Sequence, residues 1–137
     1  MIRYSQKDKI ITAMSRPALP KIAMVAPSLS ILGGQAVQAK VVMDYLRSDG
    51  YDVELVPIDP PFPTGVGWLK RLPFVRTVIN ETLYLPSLRR LRQADVVHIC
   101  SASYWSYLLA PVPAILAARH LKKPIVLNYH SGEAADH

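Results

Sequence analysis

Four short apolar segments recur along the chain, and each lacks the alternation of polar and apolar residues that marks a half-exposed strand. They are rich in Val and Ile and have the length of β-strands. Such segments are typical of parallel strands that are covered on both faces. The four predicted strands are Lys21–Ala26, Tyr51–Ile58, Asp95–Cys100 and Pro124–Tyr129.

The segments between these strands predict helices. The first predicted helix is amphipathic and is followed by Gly50, a natural C-terminal cap. One long helix or two short ones, interrupted near Pro86, are predicted for Trp68–Gln93, and a helix that restarts at its prolines is predicted for Tyr104–Leu121. The apolar face of the first helix consists of Ala39, Val42, Met43 and Leu46.

The predicted elements follow one another in the order βαβαβαβ. This order predicts an α/β fold with an open, parallel, Rossmann-like sheet and helices on both faces. Residues 1–20 carry Pro17 and Pro20 and predict a flexible N-terminal tail, whereas residues 21–137 form the predicted domain. The uncharged run Val96–Ala118 has about the length of a bilayer span, but its prolines would break a continuous helix.

Composition places the chain among globular proteins, because 50% of its 137 residues are apolar and 19% are charged. The one cysteine, Cys100, excludes an internal disulfide and suits a reducing cytoplasm. Of the net charge of +6, +5 lies between Pro61 and Gln93, where six basic residues stand against Glu81. A local positive charge of this kind suits nucleic acid, an anionic bilayer or a phosphorylated substrate.

Two glycines, Gly33 and Gly34, lie where the first strand passes into the first helix. Ligands of open parallel sheets bind beyond the carboxyl ends of the strands, and the start of a helix favours an anion such as phosphate. The sequence contains neither the dinucleotide fingerprint G-x-G-x-x-G nor the G-K-[ST] of a phosphate loop. The alternative is that the pair only supplies turn geometry.

The last predicted strand is followed directly by His130, Ser131 and Glu133, which belong to the same edge of the predicted sheet. An imidazole at this edge suits hydrogen bonding or proton transfer near neutral pH. The alternatives are a structural histidine and a solvated loop. His98 is predicted to be buried in a strand, and His120 to end a helix. The histidines and the cysteine show no metal-ligand spacing, so no metal site is predicted.

A resemblance to family 4 glycosyltransferases, which have the GT-B fold of two facing Rossmann-like domains, rests on KIAMVAPSLSILGGQAVQAKVVMDYLRSDGYDVELVPID and ADVVHICSASYWSYLLAPVPAILAARHLKKPIVLNYHSGEA. The resemblance implies transfer of a sugar from a nucleotide-sugar donor with retention of configuration and without a cofactor. It implies that Gly33 and Gly34 approach the donor diphosphate and that His130 is the catalytic residue beside the donor sugar. It also implies that Ser131 and Glu133 line the site.

In similar enzymes most of the residues that bind the nucleotide belong to a C-terminal donor domain, which these 137 residues do not contain. The resemblance therefore implies an incomplete, acceptor-side fragment that is inactive alone. The alternatives are a non-catalytic partner subunit that needs a second chain and, ranked last, a nucleic-acid-binding module. Nucleic acid is not an expected partner, because the sequence has no recognisable reading helix or stacking motif.

The segment GVGWLKRLPFVR combines apolar and basic residues, as an interfacial helix does. In similar enzymes the acceptor is often a lipid-linked sugar. The hypothesis is that Trp68, Lys70, Arg71 and Arg76 contact the acceptor or the inner face of a membrane, with the protein otherwise cytoplasmic. The alternative is that the apolar residues are core and the cations a solvated face.

Overall fold

The structure is a computed structural model that describes residues 17–30, 33–101 and 108–129. The candidate site residues His130, Ser131 and Glu133 lie outside the described residues, as does the predicted tail up to residue 16.

Strands and helices alternate along the described residues, as the sequence predicts. The strands are β1 (Ile22–Ala26), β2 (Val53–Pro57), β3 (Val96–Ser101) and β4 (Ile125–Tyr129). The α-helices are α1 (Gly34–Ser48), α2 (Pro73–Ser87) and α3 (Pro111–His120), and two 3-10 helices span Gly67–Arg71 and Leu88–Gln93. No helix in this part of the chain is long and apolar enough to cross a membrane.

The four strands form one parallel sheet in the order β2-β1-β3-β4. In its centre, Met24 of β1 pairs with Leu55 of β2 on one side and with His98 of β3 on the other. The prediction of an open, parallel, Rossmann-like sheet is confirmed. Strand β4 is the outer strand on the β3 side, and Val126, Leu127 and Tyr129 on it are exposed.

All five residues of β1 are buried, because helices cover both faces of the sheet there. One face carries α1, and the other carries α2, the second 3-10 helix and α3. The α1 side is formed by Ile22, Met24, Ala26, Ala39, Met43, Val53 and Cys100. The opposite side includes Ala23, Val25, Val56, Tyr84, Leu91, Val97, Ile99, Ala114 and Ala118.

Prolines set the boundaries of the helices on the second face. Pro73 is the first residue of α2, where a missing N–H costs no hydrogen bond, and Pro111 begins α3 in the same way. Pro86 lies in the last turn of α2, and the chain continues from Leu88 as a 3-10 helix. The segment predicted as Trp68–Gln93 is therefore one α-helix between two 3-10 helices, with the break where the sequence places it.

The C-terminus of α1 is closed by a Schellman motif around Gly50. The amide of Gly50 donates to the carbonyl oxygen of Arg47 at 3.0 Å, and the amide of Tyr51 donates to that of Leu46 at 3.0 Å. Gly50 has a φ of +94°, a conformation that other residues adopt only with strain. The predicted cap is confirmed.

Replacing Gly50 by alanine should lower the free energy of unfolding by about 1–2 kcal/mol, because a Cβ is unfavourable at this backbone conformation. Gly34→Ala is the matched control. It lies in the first turn of α1, where an added Cβ has no atom within 4 Å, so alanine should leave stability unchanged or raise it. Urea denaturation of the two variants measures the difference, and equal midpoints would contradict the assignment of Gly50 as a required cap.

Candidate functional site

The connections that leave the sheet place a crevice at its carboxyl edge. After β1 the chain enters α1 on one face, and after β3 it goes on to α3 on the other face. Ligands of open parallel sheets bind where the direction of the connections changes in this way. The side-chain amide of Gln35, at the start of α1, donates to the carbonyl oxygen of Ser101, at the end of β3, at 3.4 Å. The predicted ligand edge is therefore the edge where these elements meet.

A cavity of about 650 Å³ lies at this edge, beyond the ends of β1 and β2. Its walls come from the segments that follow these two strands, from the first 3-10 helix, from α2 and from the residues just before α3. The side chains relevant to its chemistry are Ser28, Asp59, Phe62, Lys70, Arg76 and Glu81.

A hydrogen-bonded pair of loops forms one side of the cavity. The amide of Ser28 donates to Oδ1 of Asp59 at 2.5 Å, and the Ser28 hydroxyl donates to Oδ2 at 2.8 Å. The hydroxyl of Ser30 lies 2.9 Å from that of Ser28. Asp59 thus holds the segment after β1 against the segment after β2 and fixes its own carboxylate in place.

Helix α2 is tied down at two points beside the cavity. The side-chain amide of Asn80 donates to the carbonyl oxygen of Ile58 at 2.8 Å. The hydroxyl of Tyr84, whose side chain is fully buried, donates to the carbonyl oxygen of Ala110 at 2.7 Å. These bonds join α2 to the end of the β2 segment and to the chain before α3, so the wall that carries Glu81 is held on both sides.

The carboxylate of Glu81 is the partly buried acid of the cavity. Burial raises the pKa of Glu81, and among the described residues none donates a hydrogen bond to it. Burial also raises the pKa of Tyr84, one turn further along α2, and the negative charge of Glu81 adds to that rise. Glu81 therefore lines the cavity with a carboxylate that receives no hydrogen bond from the described residues.

Two cations and an aromatic ring complete the lining. The ammonium group of Lys70 lies 4.8 Å from the centre of the Phe62 ring, within cation–π distance. Arg76, in the first turns of α2, lines the same cavity. The arrangement can bind a flat ring, accept hydrogen bonds from hydroxyls at Asp59, and attract an anionic group at its basic side.

The predicted site residues Gly33 and Gly34 do not line this cavity. Gly33 precedes α1 with an extended backbone, φ −108°, and a Cβ at either position would meet no atom within 4 Å. Neither backbone conformation requires glycine, so these positions show no steric need for it, and the alternative of turn geometry stays a prediction. A ligand contact at Gly33 and Gly34 stays a prediction.

The other predicted site residues fall in different places. Lys70 and Arg76, assigned to acceptor or membrane contact, line the cavity, whereas Trp68 and Arg71 are exposed outside it. His98 lies in β3 with its Nε2 buried, and no residue of the described ranges hydrogen-bonds to that atom. Burial lowers the pKa of His98, which favours the neutral ring. His120 ends α3, as predicted.

Sequence reasoning missed Asp59 and Glu81. Asp59 follows directly on a predicted strand, at the edge where ligands of such sheets bind, and this position was a usable signal. Glu81 is the single acid among six basic residues in the stretch from Pro61 to Gln93, and this isolated position was a second signal of a functional residue.

Comparison with known proteins supports the fold. No protein-family model matches the sequence, and no curated protein matches it either. A solved structure of a 2-deoxyribosyltransferase from the psychrotolerant bacterium Bacillus psychrosaccharolyticus is similar, with a TM-score of 0.50. The fold is Rossmann-like. The two chains share 16% identity, and the similarity covers 84% of this chain and 77% of that chain, so it shows a common architecture.

This finding corrects the resemblance to family 4 glycosyltransferases, which is wrong. The structural likeness is to a 2-deoxyribosyltransferase and not to a GT-B enzyme. The nucleotide-sugar-dependent function, and with it the donor diphosphate role of Gly33 and Gly34, is therefore not supported. The alternative of a non-catalytic partner subunit gains no support from the likeness either. The physical reason is that glycines after a first strand, an apolar strand and a polar loop after a later strand occur in many parallel sheets.

The Asp59 contacts predict a measurable effect on stability. Asp59→Ala should lower the free energy of unfolding by about 1.5–3 kcal/mol, because it removes hydrogen bonds to a charged group and frees two loops. Ser28→Ala is the matched control. It keeps the backbone bond and should cost roughly half as much. Chemical denaturation measures both, and an Asp59→Ala variant as stable as the parent would show that the two loops are held by something else.

Proposed function

We propose that this chain is an enzyme that transfers the pentose of a nucleoside, with the nucleoside bound in the cavity and Glu81 at its anomeric carbon. The observation that carries this is Glu81 itself. It is a partly buried carboxylate of raised pKa that lines a cavity at the ligand-binding edge of the sheet, and no described residue donates a hydrogen bond to it. Perturbed pKa values cluster at functional sites, so a carboxylate in this state at the ligand-binding edge is a candidate catalytic group.

The chemistry of glycosyl transfer requires such a group. As the bond between the pentose and its base breaks, the anomeric carbon becomes oxocarbenium-like and positively charged. A partly desolvated carboxylate stabilises that charge more strongly than one in bulk water. In the proposed first step an oxygen of Glu81 bonds to the anomeric carbon while the carbon–nitrogen bond breaks. The base leaves with the electron pair and takes a proton from solvent.

In the second step the nitrogen of an incoming base, or water, attacks the anomeric carbon and the bond to Glu81 breaks. The incoming nucleophile loses its proton to solvent, and the carboxylate is regenerated. The double displacement retains the configuration of the sugar. The shared fold with a 2-deoxyribosyltransferase supports this reaction class by analogy of architecture.

Other lining residues have roles that follow from their contacts. The Phe62 ring offers an apolar face against which a base can stack. The carboxylate of Asp59, held by Ser28, is positioned to accept hydrogen bonds from hydroxyls of the pentose. The amide group of Asn80 is anchored through its nitrogen, which leaves its carbonyl oxygen as an acceptor beside Glu81.

Glu81→Gln should reduce the rate of base release from 2′-deoxynucleosides by at least about 10³-fold, because an amide neither attacks nor carries the compensating charge. The assay is chromatography of the free base, with and without a second base as acceptor. Glu54→Gln is the matched control, since Glu54 lies on β2 next to Lys21, at 3.7 Å, and outside the cavity. It should keep the parent rate.

The same pair separates loss of function from loss of fold. Because the folded state raises the pKa of Glu81, ionisation of this group lowers stability as the pH rises above the usual glutamate range. Glu81→Gln should therefore be at least as stable as the parent at pH 7, with a melting temperature equal or higher by about 1–3 °C. A stable Glu81→Gln variant with the parent rate would contradict the proposed role, as would a parent with no activity on any 2′-deoxynucleoside.

The basic side of the cavity favours a substrate that carries a phosphate. Arg76→Glu should weaken binding of a 2′-deoxynucleoside 5′-monophosphate by about 10- to 100-fold and leave binding of the free nucleoside nearly unchanged, because only the phosphate needs the guanidinium. Arg71→Glu makes the same change of charge outside the cavity and is the control. Calorimetric titration measures both ligands, and equal losses for both would show that Arg76 does not contact a phosphate.

A further inference from the structure

Bulky apolar side chains lie exposed on the first 3-10 helix and the beginning of α2. Phe74 is 86% exposed and Trp68 is 66% exposed, and Leu72 and Val78 are also exposed. Phe74 and Val78 are four residues apart on α2 and therefore on one side of the helix. These residues, together with the neighbouring cations Lys70 and Arg71, are called the aromatic–basic surface below.

The stretch of chain that carries this surface is basic. The sequence from Pro61 to Asn80 contains no Asp or Glu, and it includes Lys70, Arg71 and Arg76. Within the described ranges, none of the three cations forms an ion pair. Exposed aromatic residues and unpaired cations thus occupy the same stretch of the molecule.

The positive charge of the aromatic–basic surface indicates what kind of partner it binds. A second copy packed here about a two-fold axis would place like charges opposite one another, which opposes association. An anionic bilayer satisfies both features at once, since aromatic rings favour the interface and basic side chains are attracted to acidic headgroups. The surface of α1, on the other face of the sheet, differs in charge. There the exposed Tyr45 is next to Asp44, which forms an ion pair with Lys40.

We propose that the aromatic–basic surface docks on an anionic membrane, with Trp68 and Phe74 entering the headgroup region and Arg71 pairing with acidic lipids. Lys70 also lines the cavity, so docking by this surface brings that wall of the cavity close to the bilayer. The docking depends only on this surface and not on the reaction assigned to Glu81.

Sedimentation with vesicles tests the proposal. The parent protein should bind vesicles of equal parts phosphatidylcholine and phosphatidylglycerol at low ionic strength, and should not bind vesicles of phosphatidylcholine alone. Each positive charge near the membrane surface strengthens binding by about fivefold. Arg71→Glu changes the charge by two units and should therefore weaken binding by about 30-fold. Phe74→Ser should weaken it at least about fivefold.

Two matched controls make the same kinds of change outside the aromatic–basic surface. Tyr45→Ser removes an aromatic side chain that is 71% exposed on α1, and Arg89→Glu reverses a charge on the second 3-10 helix. Both should bind within about threefold of the parent, as expected for groups away from the bilayer. A parent that binds neither vesicle overturns the proposal, and so does Arg89→Glu binding as weakly as Arg71→Glu. A soluble acidic partner at this surface would give the first of these results.

Fluorescence gives an independent readout that leaves every residue of the aromatic–basic surface unchanged. The chain has two tryptophans, Trp68 and Trp105. In Trp105→Phe the remaining emission comes from Trp68 and should shift to shorter wavelength when the anionic vesicles are added, because the indole leaves water. Emission that stays at the wavelength of an exposed indole while the protein sediments with vesicles would overturn the proposed orientation.

Discussion

The burial of β1 on both of its faces is the constraint on which the rest of the molecule depends. Successive side chains of a strand point to opposite sides, so a strand with five buried residues requires a cover on each side. Helix α1 supplies one cover, and α2, the second 3-10 helix and α3 supply the other. Because connections leave the sheet toward both faces, its carboxyl edge cannot be closed by either layer, and the cavity lies at that edge.

The position of Glu81 follows from the same cover. Tyr84 is buried against the sheet and its hydroxyl bonds to the carbonyl oxygen of Ala110, which sets the rotation of α2. Glu81 lies one turn before Tyr84 and is therefore carried to the border between core and cavity. Its raised pKa is a consequence of helix packing and needs no specific charged neighbour.

The fold was predictable from the sequence because short local patterns mark its strands and the end of its first helix. Two-sided burial produces unbroken apolar runs, and Gly50 has a backbone conformation that few other residues tolerate. The cavity was not predictable in this way, because Asp59 and Glu81 are 22 positions apart and meet the same space only through the packing of α2 on the sheet. The family assignment failed for a related reason, since its motifs describe the strand ends of the fold and not the side chains of one reaction.

The contact between Ser28 and Asp59 links occupancy of the cavity to the unfolding equilibrium. Both residues line the cavity, and both belong to segments that emerge directly from buried strands. A ligand held by these loops binds only the native state, and at a hundredfold excess over its dissociation constant it adds about 2.7 kcal/mol to the free energy of unfolding. A rise in the free energy of unfolding on addition of a compound therefore reports that the compound binds in this cavity.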